Sequence, residues 1–434
     1  MSGTAQAAGG AQSTTASAGA TGTTGRAATT GAAVTNAPAP AALALENSLA
    51  PAHDWRRSAA DLALEVAAPL LQRTPVDALF VAAPAALLVD GQAHQAALFA
   101  DRLGLTALPC YQLEAGDASG AAALHAAVAH VGAGLARAAL VLAVSKVSDR
   151  SERERAALMD SLIDREIEAP MGLSYQALCG LLADLYLSRH RLKPSDLAQV
   201  VAKNAASAVA GGETFLPHAP SALEVRRDIP VAPPLVRSDF APLFDSATAL
   251  VVCDAGRARE LAAAPVVEVV AIAAAGDATV VADRHDPLRL EAAARAAAGA
   301  LARARGRQGE APLAAGRGGG LAFLEVSSVC SILEVLALES IGATEPGATP
   351  LAYKDGLGRI GSDLVVNPGG GAQGRGHGFG ASGLDQAREA LLQLAGAAHG
   401  RQVAEAVRPG ALALSLSLAG IGSQAFATVY RRSE

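Results

Sequence analysis

Beyond Arg56 the chain alternates between two apolar rhythms. Short continuous runs of Val, Leu and Ala suit strands buried on both faces, whereas stretches with apolar residues every three or four positions suit helices with one covered face. The alternation predicts α/β layering with parallel strands. Helices are expected over 57–72, 92–103 and 118–132, and strands over 77–82, 110–114 and 138–144. The pattern then stops, because 148 to about 220 reads mostly helical, with main elements over 171–189 and 194–210 and Pro194 suited to a first helical turn. Strand 248–253 restores the sheet rhythm. Strands over 266–273, 321–326, 363–367, 411–419 and 424–431 follow, with helices over 288–305, 332–341 and 383–394 among them. Two α/β halves of similar element order, the first carrying a helical insertion, indicate a duplication of fold rather than of sequence.

The N-terminal residues show neither rhythm. Up to about residue 40 they are nearly all Ala, Gly, Ser and Thr, with Arg26 the single charged side chain, too few large apolar groups to offset ordering entropy. The expected organisation is a disordered tail over 1–48, an N-terminal half over 49–264 with its insertion at about 148–220, and a C-terminal half over 265–434. One arginine and no amphipathic face make a transit peptide the weaker reading of the tail.

Composition narrows the function classes. With 51% hydrophobic and 18% charged residues the chain is globular, and its apolar runs fall short of the ~20 residues of a membrane helix. A net charge of -6 and 3% aromatic residues offer neither a phosphate-tracking stripe nor stacking platforms for nucleic acid. Cys110, Cys179, Cys253 and Cys330 are far apart, without CxxC spacing, so neither a zinc site nor a disulfide framework is expected. A reducing, cytoplasmic setting and no metal follow as expectations.

The densest chemical signal is NPGGGAQGRGHGFGASGL, from Asn367 to Leu384. Gly378, Gly380 and Gly383 satisfy the dinucleotide pattern GxGxxG, with Glu405 further on. In a dinucleotide site, however, the glycines follow the strand directly, and too little chain remains here to complete such a sheet.

The same segment resembles the C-terminal motif of thiolases, in which an Asn-x-x-Gly-Gly turn leads to Gly-His-Pro and then Gly-Ala-Ser-Gly at a helix start. Residues 385–403 (DQAREALLQLAGAAHGRQV) resemble the following helix in the SCP-2-like, lipid-transfer branch. Three further segments agree in order: LEAGDASGAAAL (113–124) with the nucleophile turn, VVAKNAASA (200–208) with a Lys-Asn-His segment, and PPLVRSDFAPLFDSATALVVC (233–253) with the entry to the last strand of the first half. The similarity spans about 56–434. A counterpart of the family's first strand is faint, 41–49 being the one candidate. The resemblance implies a thiolase fold, two similar βαβαβαββ halves whose layered sheets pack through inner helices 118–132 and 383–394, with a helical loop-domain insertion in the first half.

It also implies a CoA thioester as substrate, with no tightly bound cofactor. Ordinary thiolases carry the acyl group on a cysteine at a helix N-terminus, where the dipole lowers the thiol pKa. Asp117 holds that position here, as an N-cap or as a catalytic carboxylate. His377 takes the place of the Gly-His-Pro base and oxyanion-hole residue, with Gly378 in place of proline. Ser327 and Ser328 replace the His and Asp of a Glu-x-His-Asp-x-Phe segment, leaving a donor but no base. Asn204, Gly376, Gly378 and Gly380 are the expected thioester-binding positions, Cys330 a core residue, and Tyr353, Arg359 and Arg375 candidates to line the cleft. Ala205 stands where the family's histidine would be. The implied function is carbon–carbon bond chemistry on an acyl-CoA thioester without the usual cysteine, with a retro-aldolase-type lyase or a non-catalytic subunit of a heteromeric thiolase complex as alternatives. The edge strand 110–114 implies a homodimer, or a heteromer with another thiolase-like or small acyl-CoA-binding subunit.

Overall fold

The computed structural model describes residues 41–261, 265–306, 313 and 318–433. The expected tail over 1–40 lies outside them, but residues 41–48 are not part of any tail. Ala41–Ala52 is a strand, β1, at the centre of the main sheet. Its polar residues are matched by neighbours: Arg388 donates to Glu46 at 2.6 Å, and the Asn47 side chain donates to the Val66 carbonyl at 3.1 Å.

The other strands are β2 (Ala78–Ala82), β3 (Cys110–Leu113), β4 (Ala138–Ser145), β5 (Asp245–Asp254), β6 (Val267–Gly276), β7 (Leu321–Val326), β8 (Leu412–Ala419) and β9 (Gln424–Arg432). They form one sheet in the order β3-β2-β4-β5-β1-β6-β9-β8-β7. The two separate sheets expected from the duplication are thus continuous, because the first strands of the halves, β1 and β6, pair antiparallel with Ala41 opposite Val269. A parallel bridge from Leu324 to Val366 adds the remnant of a strand beyond β7. Counted within its own half, each set of strands then runs third, second, fourth, fifth, first. Residues 363–367 form isolated bridges rather than the expected strand, since the chain leaves glycine turns at Gly358 and Gly361 and enters another at Gly370.

The helices that matter for the site are α1 (Ala59–Leu71), α2 (Gln95–Arg102), α3 (Ser119–Gly132), α4 (Tyr175–His190), α5 (Pro194–Gly211), α6 (Glu291–Ala304), α7 (Ser331–Ser340) and α8 (Ser382–Ala395). One core joins α3 and α8 to Phe80, Val141 and Leu250 of the first half and to Phe323, Ala413 and Tyr430 of the second. The opposite face of the first half is covered by α1 and α2, and that of the second by α6, α7 and the insertion helices α4 and α5. Alanine and glycine dominate α3 because the buried helix pair leaves little room. A Cβ on Gly120 would lie 2.7 Å from the Gly380 carbonyl oxygen and the Leu384 nitrogen, and one on Gly383 would lie 2.7 Å from the Ala121 nitrogen.

The insertion leaves after β4 and returns at β5, and its neck is closed by one carboxylate. Asp245 accepts from the amides of Val147 (2.6 Å) and Ser148 (2.8 Å) and from Lys146 Nζ (3.0 Å). Burial alone would raise the Asp245 pKa, but Ser148 and these donors hold it below its ordinary value. No described helix is long and apolar enough to cross a membrane.

The helix contact gives a direct test. Gly120→Ala places a methyl group against backbone atoms that cannot rotate away, so it should destabilise the fold by about 1–3 kcal/mol, as overpacked cores do. Denaturant unfolding should show a lowered midpoint, whereas an unchanged midpoint would mean that the helices can separate freely.

Candidate functional site

The N-termini of α3 and α8 meet at the Gly120–Gly383 contact, so the segments before each helix converge on one junction. The turn into α3 passes through Gly116 at φ 55° and is locked by Ser119, whose hydroxyl accepts from the Ala115 amide at 2.8 Å and donates to the Gly116 carbonyl at 2.6 Å. Asp117 is buried, and its carboxylate accepts from the Gly420 amide at 2.7 Å. It does not cap α3: Ala118 holds that position without a side-chain bond. The amide from the other half's last glycine turn takes the carboxylate instead. Burial pushes the Asp117 pKa up to about 7, opposed only by backbone hydrogen bonds. Its charge also helps raise the buried Tyr175 phenol of α4, after burial and Cys179.

His377 is fixed through its backbone, donating to the Pro242 carbonyl at 2.8 Å and accepting from the Phe244 amide at 3.0 Å. Its Nδ1 lies 2.7 Å from Ser382 Oγ, while Nε2 is buried with no partner among the described residues. Burial lowers its pKa to about 3, so the imidazole is neutral at physiological pH. When Ser382 donates to Nδ1, Nε2 carries the proton and is a free donor.

Two cavities lie on the His377 side of this junction, and neither Asp117 nor His377 is among their lining residues. An outer one of about 390 Å³ is bounded by the insertion, with Arg155, Met159 and Tyr175, and by Arg237 and Pro242. An inner one of about 210 Å³ is bounded by Glu325, Ser327, Ser328, Arg375 and Asp385. Val329 lines both. Of the groups holding His377, Pro242 lines the outer cavity and Ser382 the inner one, while His377 itself is buried behind them and lines neither.

The remaining expected site residues fare differently. Ser327 lines the inner cavity, with its hydroxyl accepting from the Leu418 amide at 2.9 Å, and Gly376 lines it too. Gly378 and Gly380 are glycines for packing: a Cβ there would strike Ser246 and Pro84. This close packing, with no regular strand before it, removes the dinucleotide reading. Asn204 is not available to a ligand. Its amide donates to Glu334 (2.6 Å) and Gln373 (2.9 Å), and its oxygen accepts from Lys203 (2.9 Å), inside a buried network that includes Tyr353 and Asn367. Of the cleft candidates Arg375 lines the inner cavity, Tyr353 is committed to Glu334 and Arg359 is exposed. Glu325, Asp385 and Tyr175 were not anticipated. Glu325 alone carried a signal, as the first residue of the segment likened to Glu-x-His-Asp-x-Phe and the single charge of the apolar run Leu321–Val326.

All four cysteines are free thiols, and none stands at the start of α3. Burial pushes the Cys253 thiol up to about 12 and raises that of the core residue Cys330.

Residues 273–432 match the family model "Thiolase C-terminal domain-like". Over 357 residues, 82% of this chain and 89% of the relative, the sequence is 32% identical to an acetyl-CoA acetyltransferase of Methanothermobacter thermautotrophicus. The chain belongs to the thiolase superfamily. A stretch of 109 residues, 25% of this chain and 19% of the relative, is 38% identical to sterol carrier protein 2 of Rattus norvegicus. Among solved structures, the Ltp2-ChsH2(DUF35) aldolase superposes with a TM-score of 0.75 at 16% identity, covering 92% of this chain and 99% of its own, which shows a shared fold.

The raised Asp117 pKa has a stability consequence. Its folded value of about 7 exceeds the unfolded value of about 3.9, so the stability it contributes is complete below pH ~4 and is lost as pH rises through ~7. Asp117→Asn keeps the acceptor for Gly420 but cannot ionise. The variant should therefore gain on the natural protein between pH 4 and 7, by at most about 1.4 kcal/mol per pH unit. Urea unfolding at pH 5 and 7.5 measures this, and parallel curves for the two proteins would contradict it.

Proposed function

We propose that this thiolase-superfamily protein acts on an acyl-CoA thioester and cleaves or forms a carbon–carbon bond without an acyl-cysteine intermediate, as a retro-aldol-type lyase. The supporting observation is the content of the junction: a carboxyl that titrates near neutrality and a neutral imidazole with an unpaired nitrogen, in place of a thiol. Groups whose environments push their pKa values apart suit acid–base chemistry. The outer cavity would take the CoA portion, with Arg155 and Arg237 facing its phosphates. Nε2–H of His377 would donate to the thioester oxygen, as oxyanion-hole donors do. Asp117, as carboxylate, would accept the proton of a 3-hydroxyl group while the bond between the α and β carbons breaks. The bonding pair moves into a thioester enolate, a carbonyl compound leaves, and the enolate regains a proton from the Asp117 carboxyl.

Incubation with 3-hydroxyacyl-CoA thioesters should release the shorter acyl-CoA and a carbonyl compound, with no acyl adduct in the intact-protein mass. His377→Ala should lower turnover by about 100-fold or more, at little cost to the melting temperature. An acyl-cysteine adduct, or full activity of the variant, would overturn the reading.

A non-catalytic role within a heteromer is the second reading, and the edge strand favours an assembly of some kind. Tyr111 on β3 is 41% exposed at a sheet edge that is unpaired among the described residues, a surface that natural proteins cover. β3 would pair across a twofold axis with a second copy, or with another thiolase-like or small acyl-CoA-binding subunit. Sedimentation should then give a dimer as the smallest unit at micromolar concentration, and a stable monomer would rule out this use of β3.

A further inference from the structure

The inner cavity has a chemistry that a fatty acyl chain would not match. Most charged groups around it are already engaged. Arg388 is held by Glu46, Glu213 by Arg401 (3.4 Å) and Arg388 (3.5 Å), and Asp385 by the Thr248 hydroxyl. Two are not. Arg375 faces Glu213 and Glu389 only at 3.9 and 3.6 Å, and its guanidinium makes no hydrogen bond among the described residues. Glu325 is fully buried, and neither carboxyl oxygen has a partner there.

The protonation of Glu325 decides what such a cavity attracts. Burial pushes its pKa up to about 8 and the charge of Glu389 adds to this, against the opposing charges of Arg375, Lys203 and Arg401. At neutral pH Glu325 is therefore a carboxylic acid with a proton to donate. Two hydroxyls add to the set. Ser327 already accepts from the Leu418 amide and Ser328 from the Ala372 amide (2.8 Å), which leaves each hydroxyl proton free. Four donors thus converge on one small chamber, and Arg375 among them has the fork geometry that pairs with two oxygens at once. The lining carboxylates Glu213 and Asp385 are already engaged by Arg388 and Arg401 and by Thr248, and an alkyl chain would leave all four donors unsatisfied.

We infer that the inner cavity binds a carboxylate at the far end of the acyl group, so that the protein selects CoA monothioesters of short dicarboxylic acids over those of fatty acids. The inference rests on the proposed acyl-CoA reading and specifies the substrate class for the same site. Arg375 forms the ion pair, and Glu325, Ser327 and Ser328 donate to the remaining lone pairs. Val329, common to both cavities, marks the passage from the CoA side to the carboxylate side.

Calorimetry with glutaryl-CoA and pentanoyl-CoA tests this, since the two have equal chain length and neither has the 3-hydroxyl group that reaction requires. Glutaryl-CoA should bind at least tenfold more tightly at pH 7, and Arg375→Gln should remove the preference while leaving pentanoyl-CoA affinity unchanged. The preference should collapse above pH ~8 in the natural protein, where Glu325 ionises and repels the ligand. Glu325→Gln cannot ionise and should keep the preference to pH 9, which tests the cavity even if the Arg375 variant fails to fold. Equal affinity for the two thioesters, or equal weakening of both by Arg375→Gln, would overturn the inference while leaving CoA binding intact. Failure of both thioesters to bind would overturn it together with the proposed function.

Discussion

The backbone contact between α3 and α8 is the constraint on which the architecture depends. Their first turns meet where Gly120 and Gly383 leave no space for a side chain, and the two half-sheets close over the pair from either side. Interiors packed to crystal density do not absorb an extra methyl group at such a point. The contact also sets the positions of the chemistry, because Asp117 lies two residues before α3 and His377 five before α8. A shared β1–β6 seam holds the halves together, so the junction rests on one continuous sheet rather than on a movable interface.

Burial, more than charge pairing, sets the character of the site. Desolvation disfavours whichever form is charged, so the same surroundings raise Asp117 and Glu325 and lower His377. Glu325 and His377 are thereby held neutral at pH 7, while Asp117 titrates close to that pH. Cysteine catalysis needs the opposite, a stabilised thiolate, and the buried thiol of Cys330 is pushed further from it.

Periodicity made most of the sheet legible, because strands such as Leu140–Leu142 and Val251–Val252 are apolar on both faces and admit little else. Periodicity missed β1, which the resemblance alone offered as a faint first strand over 41–49, because AALALENSLA carries Glu46 and Asn47 in its middle, and only the fold reveals that Arg388 and a helix carbonyl receive them. Residues 363–367 show the reverse error: the β-branched pair Val365–Val366 suits a strand, but turns on both sides reduce it to bridges. In the site, His377 and Ser327 were placed by motif; Ser327 lines the inner cavity, whereas His377 is buried behind Ser382 and Pro242, which line the two cavities. Asn204 was assigned to a ligand since a sequence cannot show that Glu334, well over a hundred residues later, already occupies its amide. The capping role for Asp117 failed for a similar reason, a stronger claim by the distant Gly420 amide.

The neck of the insertion has a consequence for how such proteins diversify. Lys146 and Asp245 are 99 residues apart in sequence yet in contact, so the whole excursion is tied off at its base. The entropy of closing a loop grows only with the logarithm of its length, about 0.6 kcal/mol per doubling. With the neck fixed by Asp245, segments of the excursion can be lengthened, shortened or replaced at small thermodynamic cost to the sheet. The outer cavity is walled largely by this excursion and the inner one by the sheet and α8. Lineages can therefore exchange the mouth of the pocket by insertion and deletion while its floor changes only by point substitution.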